Sequence, residues 1–335
     1  MKKKLLYHSF TSERVFPKNL IEKDRTIFEK EFQKKINPSY LFEFKNVAVT
    51  FDGVVINNLK TIPESLYDLG ASDLFKWKYL LKTFITKRKI KLDKQKYILP
   101  YNSWGTGYCH WVPETLCRIL SAKYLLPECI LLLPDNIHPQ IIKSLAPFKF
   151  KGIFYIPKNS YVITPDLIMP TLIGQTGNYN DKVIKNLRQL YLDFYEKKLN
   201  PHKQNIYVSR EKADKRKIQN EKEIKPILSK YNFKIIYIEE LDFEEQVSLF
   251  MNCNCVISIH GAALANILFM KNNAKVLEIR NSSDKTSLCY FSLASALDID
   301  YYYFKGNSTD LKLNNNANLI IEPTSFEQTL IEMTR

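Results

Sequence analysis

The chain of 335 residues is too long for one small module, and at ~100–200 residues per domain it predicts two domains. Its 45% hydrophobic, 25% charged and 13% aromatic residues describe a folded chain with a sizeable core and exclude disorder as the main state. Forty-nine Lys and Arg against 35 Asp and Glu leave a net charge of +14, which suits an anionic partner: nucleic acid, a membrane surface or a phosphorylated substrate. The lysines are scattered, and Lys, Asn, Ile and Tyr are all heavily used, so part of this charge is compositional.

In chain order, Pro17–Ile36 predicts a charged amphipathic helix with Pro17 at its first position. Tyr40–Thr50 predicts a strand, Asp52-Gly53 a turn, and Val54–Ile56 another strand. Leu66, Leu69, Leu74, Trp77 and Leu80 recur at helical spacing and predict a helix over Pro63–Thr83. Tyr97–Leu99 is a short strand ended by Pro100, and Asn102–Gly107 a loop before a helix from Trp111 to Tyr124. The apolar strand Ile130–Leu133 leads to a helix from Pro134 towards Leu145. Strands follow at Ile153–Ile156 and Tyr161–Met169, then a loop at Thr176–Asn180. The long charged helix Lys182–Lys198 is stopped by Asn200-Pro201.

From residue 204 the pattern becomes regular. Strands are predicted at Asn205–Ser209, Phe233–Tyr237, Cys255–Ile259, Lys275–Ile279 and Tyr301–Phe304. Helices alternate with them at Lys222–Tyr231, Phe243–Asn252, Ala262–Met270 and Thr286–Leu297, and Ser325–Glu332 forms a last helix. Short apolar strands alternating with helices predict an α/β fold whose C-terminal domain is a doubly wound parallel sheet. The expected division is an N-terminal domain over residues 1–200, irregular in its first 90, a C-terminal domain over 201–320, and a helix over 321–335 returning to the N-terminal domain.

Several chemistries are absent. Nine glycines form neither GxGxxG nor GxxxxGK[ST], which argues against a dinucleotide fingerprint or a P-loop. Cys109, Cys117, Cys129, Cys253, Cys255 and Cys289 include no CxxC pair, so no zinc site is expected; they read as buried free thiols of a reducing compartment. Met1-Lys2-Lys3-Lys4 looks like a signal n-region, but the apolar stretch after it is too short, and no run reaches ~18 apolar residues. The expected location is the cytoplasm, including the inner face of a membrane.

Ligands of an open parallel sheet bind beyond the carboxyl ends of its strands. Here those ends carry Ser209-Arg210, Glu239-Glu240, Ser258-Ile259-His260-Gly261 and Glu278-Ile279-Arg280. The small residues Gly261, Ala262 and Ala263, ahead of Asn266, let a ligand approach backbone N–H groups at a helix start, which suits an anion, with His260 adding a phosphate bond. The competing reading is that they only let the helix pack, with His260 a satisfied core histidine. Arg210 and Arg216 have forks suited to phosphate, or form a solvated basic face among Lys212, Lys215 and Lys217. Glu278 is a candidate for ribose hydroxyls or a partner for Arg280 or Arg210; Glu239 is a weaker acidic candidate. In the first half, His110 and Glu114 share a helix face and form either a base with its orienting group or a structural tie.

Two segments carry a family resemblance. One is Tyr108-Cys109-His110-Trp111-Val112-Pro113-Glu114 with Arg118. The other runs from Ile206-Tyr207-Val208-Ser209-Arg210 through Arg216, Asn220-Glu221 and Phe243-Glu244-Glu245-Gln246 to His260-Gly261-Ala262-Ala263-Leu264-Ala265-Asn266 and Glu278. Together, over residues 95–305, they resemble glycosyltransferase family 61, a group described through capsular polysaccharide biosynthesis. The resemblance implies a GT-B fold of two Rossmann-like domains facing a cleft, and inverting, metal-independent transfer from a nucleotide sugar bound by the C-terminal domain.

On this reading the catalytic residues are His110 as base, with Glu114 orienting it or acting instead. Donor contacts fall to Ser209, Arg210, Arg216, Glu239, His260, Gly261, Ala262, Ala263, Asn266 and Glu278. No cofactor and no metal are expected; the donor is a nucleotide diphosphate sugar, a UDP-sugar first. The acceptor is a glycan or lipid-linked glycan, with peripheral contact to an anionic membrane. The competing classes are a non-catalytic nucleotide-sugar or carbohydrate binder and a basic nucleic-acid-binding protein.

Overall fold

The computed structural model describes residues 1–66, 77–199 and 204–335. They form two compact units, one of Met1–Phe10 with Ile36–Val183, the other of Thr11–Lys35 with Ile184–Arg335.

The first unit is built on a nine-stranded mixed sheet. Its strands are β1 (Lys2–Tyr7), β2 (Ser39–Thr50), β3 (Val55–Asn57), β4 (Lys60–Thr61), β5 (Arg88–Lys91), β6 (Lys96–Ile98), β7 (Cys129–Pro134), β8 (Gly152–Ile156) and β9 (Ser160–Pro170). The order is β8-β7-β6-β9-β2-β3-β4, with β1 also on β2 and β5 also on β9. β8, β7, β6 and β9 run parallel, while β2 runs antiparallel to β9 from Thr50 opposite Tyr161 to Leu41 opposite Pro170. Thus only one side of this sheet has the parallel pattern of a Rossmann-like domain. Of the helix predicted over Pro63–Thr83, Leu69 and Leu74 lie outside the described residues; beyond them α1 spans Trp77–Thr86.

The second unit carries β10 (Gln204–Val208), β11 (Phe233–Ile236), β12 (Cys253–Ile259), β13 (Lys275–Asn281), β14 (Asp300–Ser308) and β15 (Leu319–Ile320). The order is β11-β10-β12-β13-β14-β15, parallel except for β15. This is the doubly wound order 2-1-3-4-5, whose direction of winding reverses between the first and third strands. Alternation along the strands explains the core. Tyr207, Ile257, Leu277, Ile279, Tyr302 and Phe304 pack with Ile224 and Leu228 of α2 (Glu221–Lys230) and with the C-terminal helix α3 (Pro323–Thr334).

Three expectations are corrected. Residues 321–335 do not belong with an N-terminal domain: Phe326, Leu330 and Met333 of α3 are fully buried in the second unit's core. The boundary falls between Val183 and Ile184 rather than at residue 200, at the start of the long helix Asp181–Phe194. Nor is Pro17–Ile36 one helix. Helix Arg25–Phe32 is a short insert, and Gln33–Ile36 pairs with Phe10–Glu13 as a ribbon. The insert belongs to the second unit because Phe28 is fully buried against Phe291, Tyr301 and Tyr303. Asp24 holds Tyr303 Oη at 2.8 Å and Lys305 Nζ at 2.6 Å, and the Lys18 amide donates to the Tyr301 carbonyl.

Candidate active site

In the second unit the strand ends bring together part of the expected set at the reversal between β10 and β12. Arg210 follows β10 and His260 follows β12. Arg216 sits in a tight turn with φ of +60° and donates through Nη1 to the His260 carbonyl at 3.3 Å and through Nη2 to Asn316 Oδ1 at 3.3 Å; its Nε is buried without a partner among the described residues. Arg210 reaches the Lys215 carbonyl from Nη2 at 3.2 Å. A Cβ built on Gly261 would stand 3.2 Å from Arg210 Nη1, so the glycine leaves room for that guanidinium. Burial pulls the Arg210 pKa down, and the charge of Arg216 pulls it further, with Glu239 in partial opposition. Among the described residues neither arginine makes an ion pair within 4 Å. Two guanidinium groups held close without a paired carboxylate form a site for an anion.

His260 is fixed from below. Its Nδ1 bonds to Glu278 Oε1, and its ring meets that of Tyr290 at 5.1 Å between centroids. Glu278 has no exposed side-chain surface; its Oε2 accepts from Tyr301 Oη at 2.6 Å and lies 3.6 Å from Arg280 Nη1. Burial pushes the Glu278 carboxyl up, but Arg280, His260 and Tyr301 outweigh it and hold it below the ordinary carboxylate value. The same carboxylate drives the buried Arg280 guanidinium upward against its own burial. Glu278 is therefore a correction: it sits beneath the imidazole and orients it, leaving no surface for a ribose. With Nδ1 engaged, Nε2 is the ring nitrogen left to a ligand, on a side chain that is 17% exposed.

Two further expectations change role. Ser209 is fully buried and donates to Glu221 Oε1 at 2.8 Å, which also accepts from Tyr207 Oη at 2.5 Å, so this hydroxyl locks the start of α2 rather than facing a donor. Asn266 is fully buried and donates to Gln246 Oε1 at 3.0 Å, and Gln246 in turn donates to the Leu241 carbonyl, so Asn266 pins the helix in place. That helix, Ala262–Phe269, is 3-10 rather than α, but its first N–H groups, on Ala262 and Ala263, still lack helical acceptors. Ala262 is exposed, Ala263 buried, and Glu239 lies in a 3-10 turn, Ile238–Glu240, after β11. Arg280, Tyr301 and Tyr290 escaped the sequence reading as site residues. Arg280 was legible in principle, since residues 278 and 280 share a strand face. A concavity of about 770 Å³ opens beside Gln204, Asn205 and Asn254 at the other end of the sheet, and no expected site residue lines it.

In the first unit, His110 and Glu114 come together as expected, in an unexpected backbone. An α-turn, Tyr108–His110, passes into a π-helical turn, Trp111–Thr115, before the α segment Leu116–Ser121. Pro113 has no N–H to give to Cys109, which breaks the regular ladder and allows the wider turn. His110 Nδ1 lies 3.3 Å from Glu114 Oε1, which also accepts from the Gly177 amide at 2.8 Å. The side chains are 23% and 8% exposed. Buried Trp111 anchors the turn by donating to Ser144 Oγ at 2.8 Å, and buried Arg118 donates to the Pro170 carbonyl at 2.8 Å. Burial disfavours the charged form of His110, but hydrogen bonds to Cys109 and Glu114 with the Glu114 charge raise its pKa to about 10. Burial pulls Arg118 down to about 9 despite Glu114. The pairing thus favours the imidazolium form of His110, and a role as base requires that proton to leave first.

Among the described residues no three His, Cys, Asp or Glu side chains form a metal-binding group, and no helix is long and apolar enough to cross a membrane. The six cysteines are free thiols.

Residues 108–277, about half the chain, match the family described as Glycosyltransferase 61. The chain is 29% identical over 167 residues to an EGF domain-specific O-linked N-acetylglucosamine transferase of Drosophila melanogaster, covering 48% of this chain and 29% of that protein. It is 35% identical over 94 residues to the protein of the same name from Gallus gallus, covering 27% of this chain and 17% of that one. The matches thus span less than a third of these relatives' lengths.

Proposed function

The chain belongs to glycosyltransferase family 61 and is a glycosyltransferase, and from that premise we propose that it transfers a sugar from a nucleoside diphosphate sugar to a glycan or lipid-linked glycan of a surface polysaccharide, such as a capsule. The proposed reaction is metal-independent and inverting. The acceptor oxygen attacks the anomeric carbon as the bond to the diphosphate breaks on the opposite side. The bonding pair leaves with the diphosphate, and the acceptor proton passes to a base.

The observation that carries the donor site is the pairing of Arg210 with Arg216 beside His260 and Gly261, at the reversal point of a 2-1-3-4-5 sheet. Charge growing on the leaving diphosphate is matched by two guanidinium groups, Nε2 of His260 and the free amides of Ala262 and Ala263. Removing one such donor costs typically ~10²–10³ in rate. Tight binding of the leaving group in place of a metal is the role these residues are suited to. The base is drawn from the His110–Glu114 pair: His110 acts through Nε2 once deprotonated, or the Glu114 carboxylate acts directly. Both relatives are named for O-linked N-acetylglucosamine transfer, which makes N-acetylglucosamine on UDP the first donor to test.

The test is thermal stability with UDP, GDP, CMP, dTDP and NAD, with and without EDTA, followed by transfer from the selected nucleotide sugar. A ligand at 100 times its dissociation constant stabilises by ~2.7 kcal/mol. One nucleoside diphosphate should raise the midpoint equally in both conditions. No shift with any of them would remove the donor site, and a shift abolished by EDTA would remove metal independence.

A further inference from the structure

Among the described residues of the first unit, one exposed apolar surface stands apart from the packing. Helix α1 has two faces. Tyr79, Leu80 and Phe84 turn inward onto a small core of Ala48, Val54, Ile56, Leu66 and Tyr161, with Phe84 edge-on to Tyr161 at 5.2 Å and Tyr79 Oη bonded to Thr50 Oγ1 at 3.1 Å. On the opposite face Trp77, Leu81 and Ile85 recur every fourth residue and form one ridge. They are 65%, 47% and 77% exposed. Single exposed apolar residues are ordinary on a protein surface, but three bulky ones aligned along a helix are not.

The sequence that carries the ridge is rich in positive charge. Residues 77–94 hold seven Lys and Arg against one acidic residue, Asp93. Lys78 and Lys82 are exposed and flank the ridge on the helix itself. Arg88, Lys89 and Lys91 are exposed on β5, the strand that follows. Lys87 differs: it is spent within the fold, 3.6 Å from Asp52. A second apolar projection arises from the same core. Ile56 packs into it, and the hairpin continuing from Ile56 turns at Asn58 and Leu59, both at positive φ. Such turns favour Asn and Gly, yet Leu59 occupies one at +56° and is 72% exposed.

We propose that the outer face of α1, with its Lys and Arg rim, is a docking surface for a bilayer rich in anionic lipid. An apolar ridge bordered by lysines is the combination that lies in the headgroup region, with the side chains of the ridge among the upper acyl chains and the ammonium groups at the lipid phosphates. Each Lys or Arg near an anionic surface strengthens attachment roughly fivefold. Leu81 and Ile85 gain nothing from a phosphodiester backbone, and Trp77 offers one stacking ring rather than a row of them, which favours lipid over nucleic acid. The surface is independent of the donor site, whose residues lie in the other unit, and it would hold the enzyme where lipid-linked acceptors reside.

The experiment is co-sedimentation of the full chain with vesicles of phosphatidylcholine, with and without phosphatidylglycerol. Two combined variants are compared: Trp77→Ser/Leu81→Ser/Ile85→Ser for the ridge and Lys78→Gln/Lys82→Gln/Arg88→Gln/Lys89→Gln for the rim. The native chain should bind the anionic vesicles and leave the neutral ones. Each variant should lose at least about tenfold in partitioning while keeping its melting temperature and its nucleotide-induced thermal shift. Those two controls separate loss of docking from loss of fold and from failure of the donor-site reading. Native protein that ignores anionic vesicles overturns the proposal, as does a ridge variant that binds like the native chain. Binding to a single-stranded RNA that needs the rim and not the ridge, without vesicle binding, overturns it in favour of nucleic acid.

Discussion

Replacing Glu278 tests the buried network beneath His260 with two readouts. In Glu278→Ala the guanidinium of Arg280 loses its carboxylate partner 3.6 Å away while remaining 2% exposed. Breaking a buried pair from one side costs ~3–5 kcal/mol. The stranded Tyr301 hydroxyl adds ~1–3 kcal/mol. Arg280 keeps the Ser287 carbonyl at 2.6 Å and Asp284 Oδ2 at 3.5 Å, which places the sum near the low end, about 4 kcal/mol. That is a large share of the ~5–15 kcal/mol that holds a typical domain. Glu278→Gln keeps an acceptor for Tyr301 and loses the charge, so about 2 kcal/mol is expected. The assay is urea unfolding followed by far-UV circular dichroism, with hydrogen exchange on peptides of β12, β13 and β14. All three tryptophans, Trp77, Trp104 and Trp111, belong to the first unit, so their fluorescence monitors that unit separately. The pH dependence has a definite sign. A carboxyl held below its ordinary 4.5 contributes stability that is present above that value and lost as pH falls through the folded pKa. The gap between native protein and Glu278→Gln should therefore close in acid. A loss under about 1 kcal/mol for Glu278→Ala, or a gap that widens in acid, would refute the network argument.

Three further outcomes are expected. Arg210→Ala should weaken nucleoside diphosphate binding by ~10–100-fold in calorimetry, with Arg210→Lys recovering only part, because an ammonium lacks the bidentate fork; unchanged affinity would remove Arg210 from the site. Gly261→Ala places a methyl 3.2 Å from Arg210 Nη1, so the guanidinium must shift, and affinity should fall several-fold with the melting temperature unchanged. If His110 is the base, kcat/KM should rise with pH towards its pKa of about 10, and Glu114→Gln, by removing the charge that raises that pKa, should move the rise to lower pH. A profile that stays in place in Glu114→Gln would show that Glu114 does not hold up the His110 pKa.

Much of the second unit was legible in the sequence because its signals are local. Short apolar strands alternating with helices specify a parallel sheet, and residues directly after a strand, such as Arg210 and His260, stand at its carboxyl edge whatever the rest of the chain does. The His110–Glu114 contact was legible for the same reason, since both lie within one turn of chain. The burial of Ser209, Asn266 and Glu278 was not legible. Sequence marks a polar residue at a strand end but not whether the next layer covers it, and here Glu221, Gln246 and Tyr301 come from other elements to meet it.

The sequence by itself determined the family, the doubly wound second unit and the group of basic residues at its strand ends, because spacing and residue type carry those properties without reference to distant contacts. Only the tertiary structure decided that residues 11–35 join the second unit, where Phe28 completes an aromatic cluster far along the chain. It alone decided that Glu278 supports His260 and that the outer face of α1 is exposed. Each of these depends on what surrounds a group in space, and burial and partner charges at long sequence separation leave no local pattern to read.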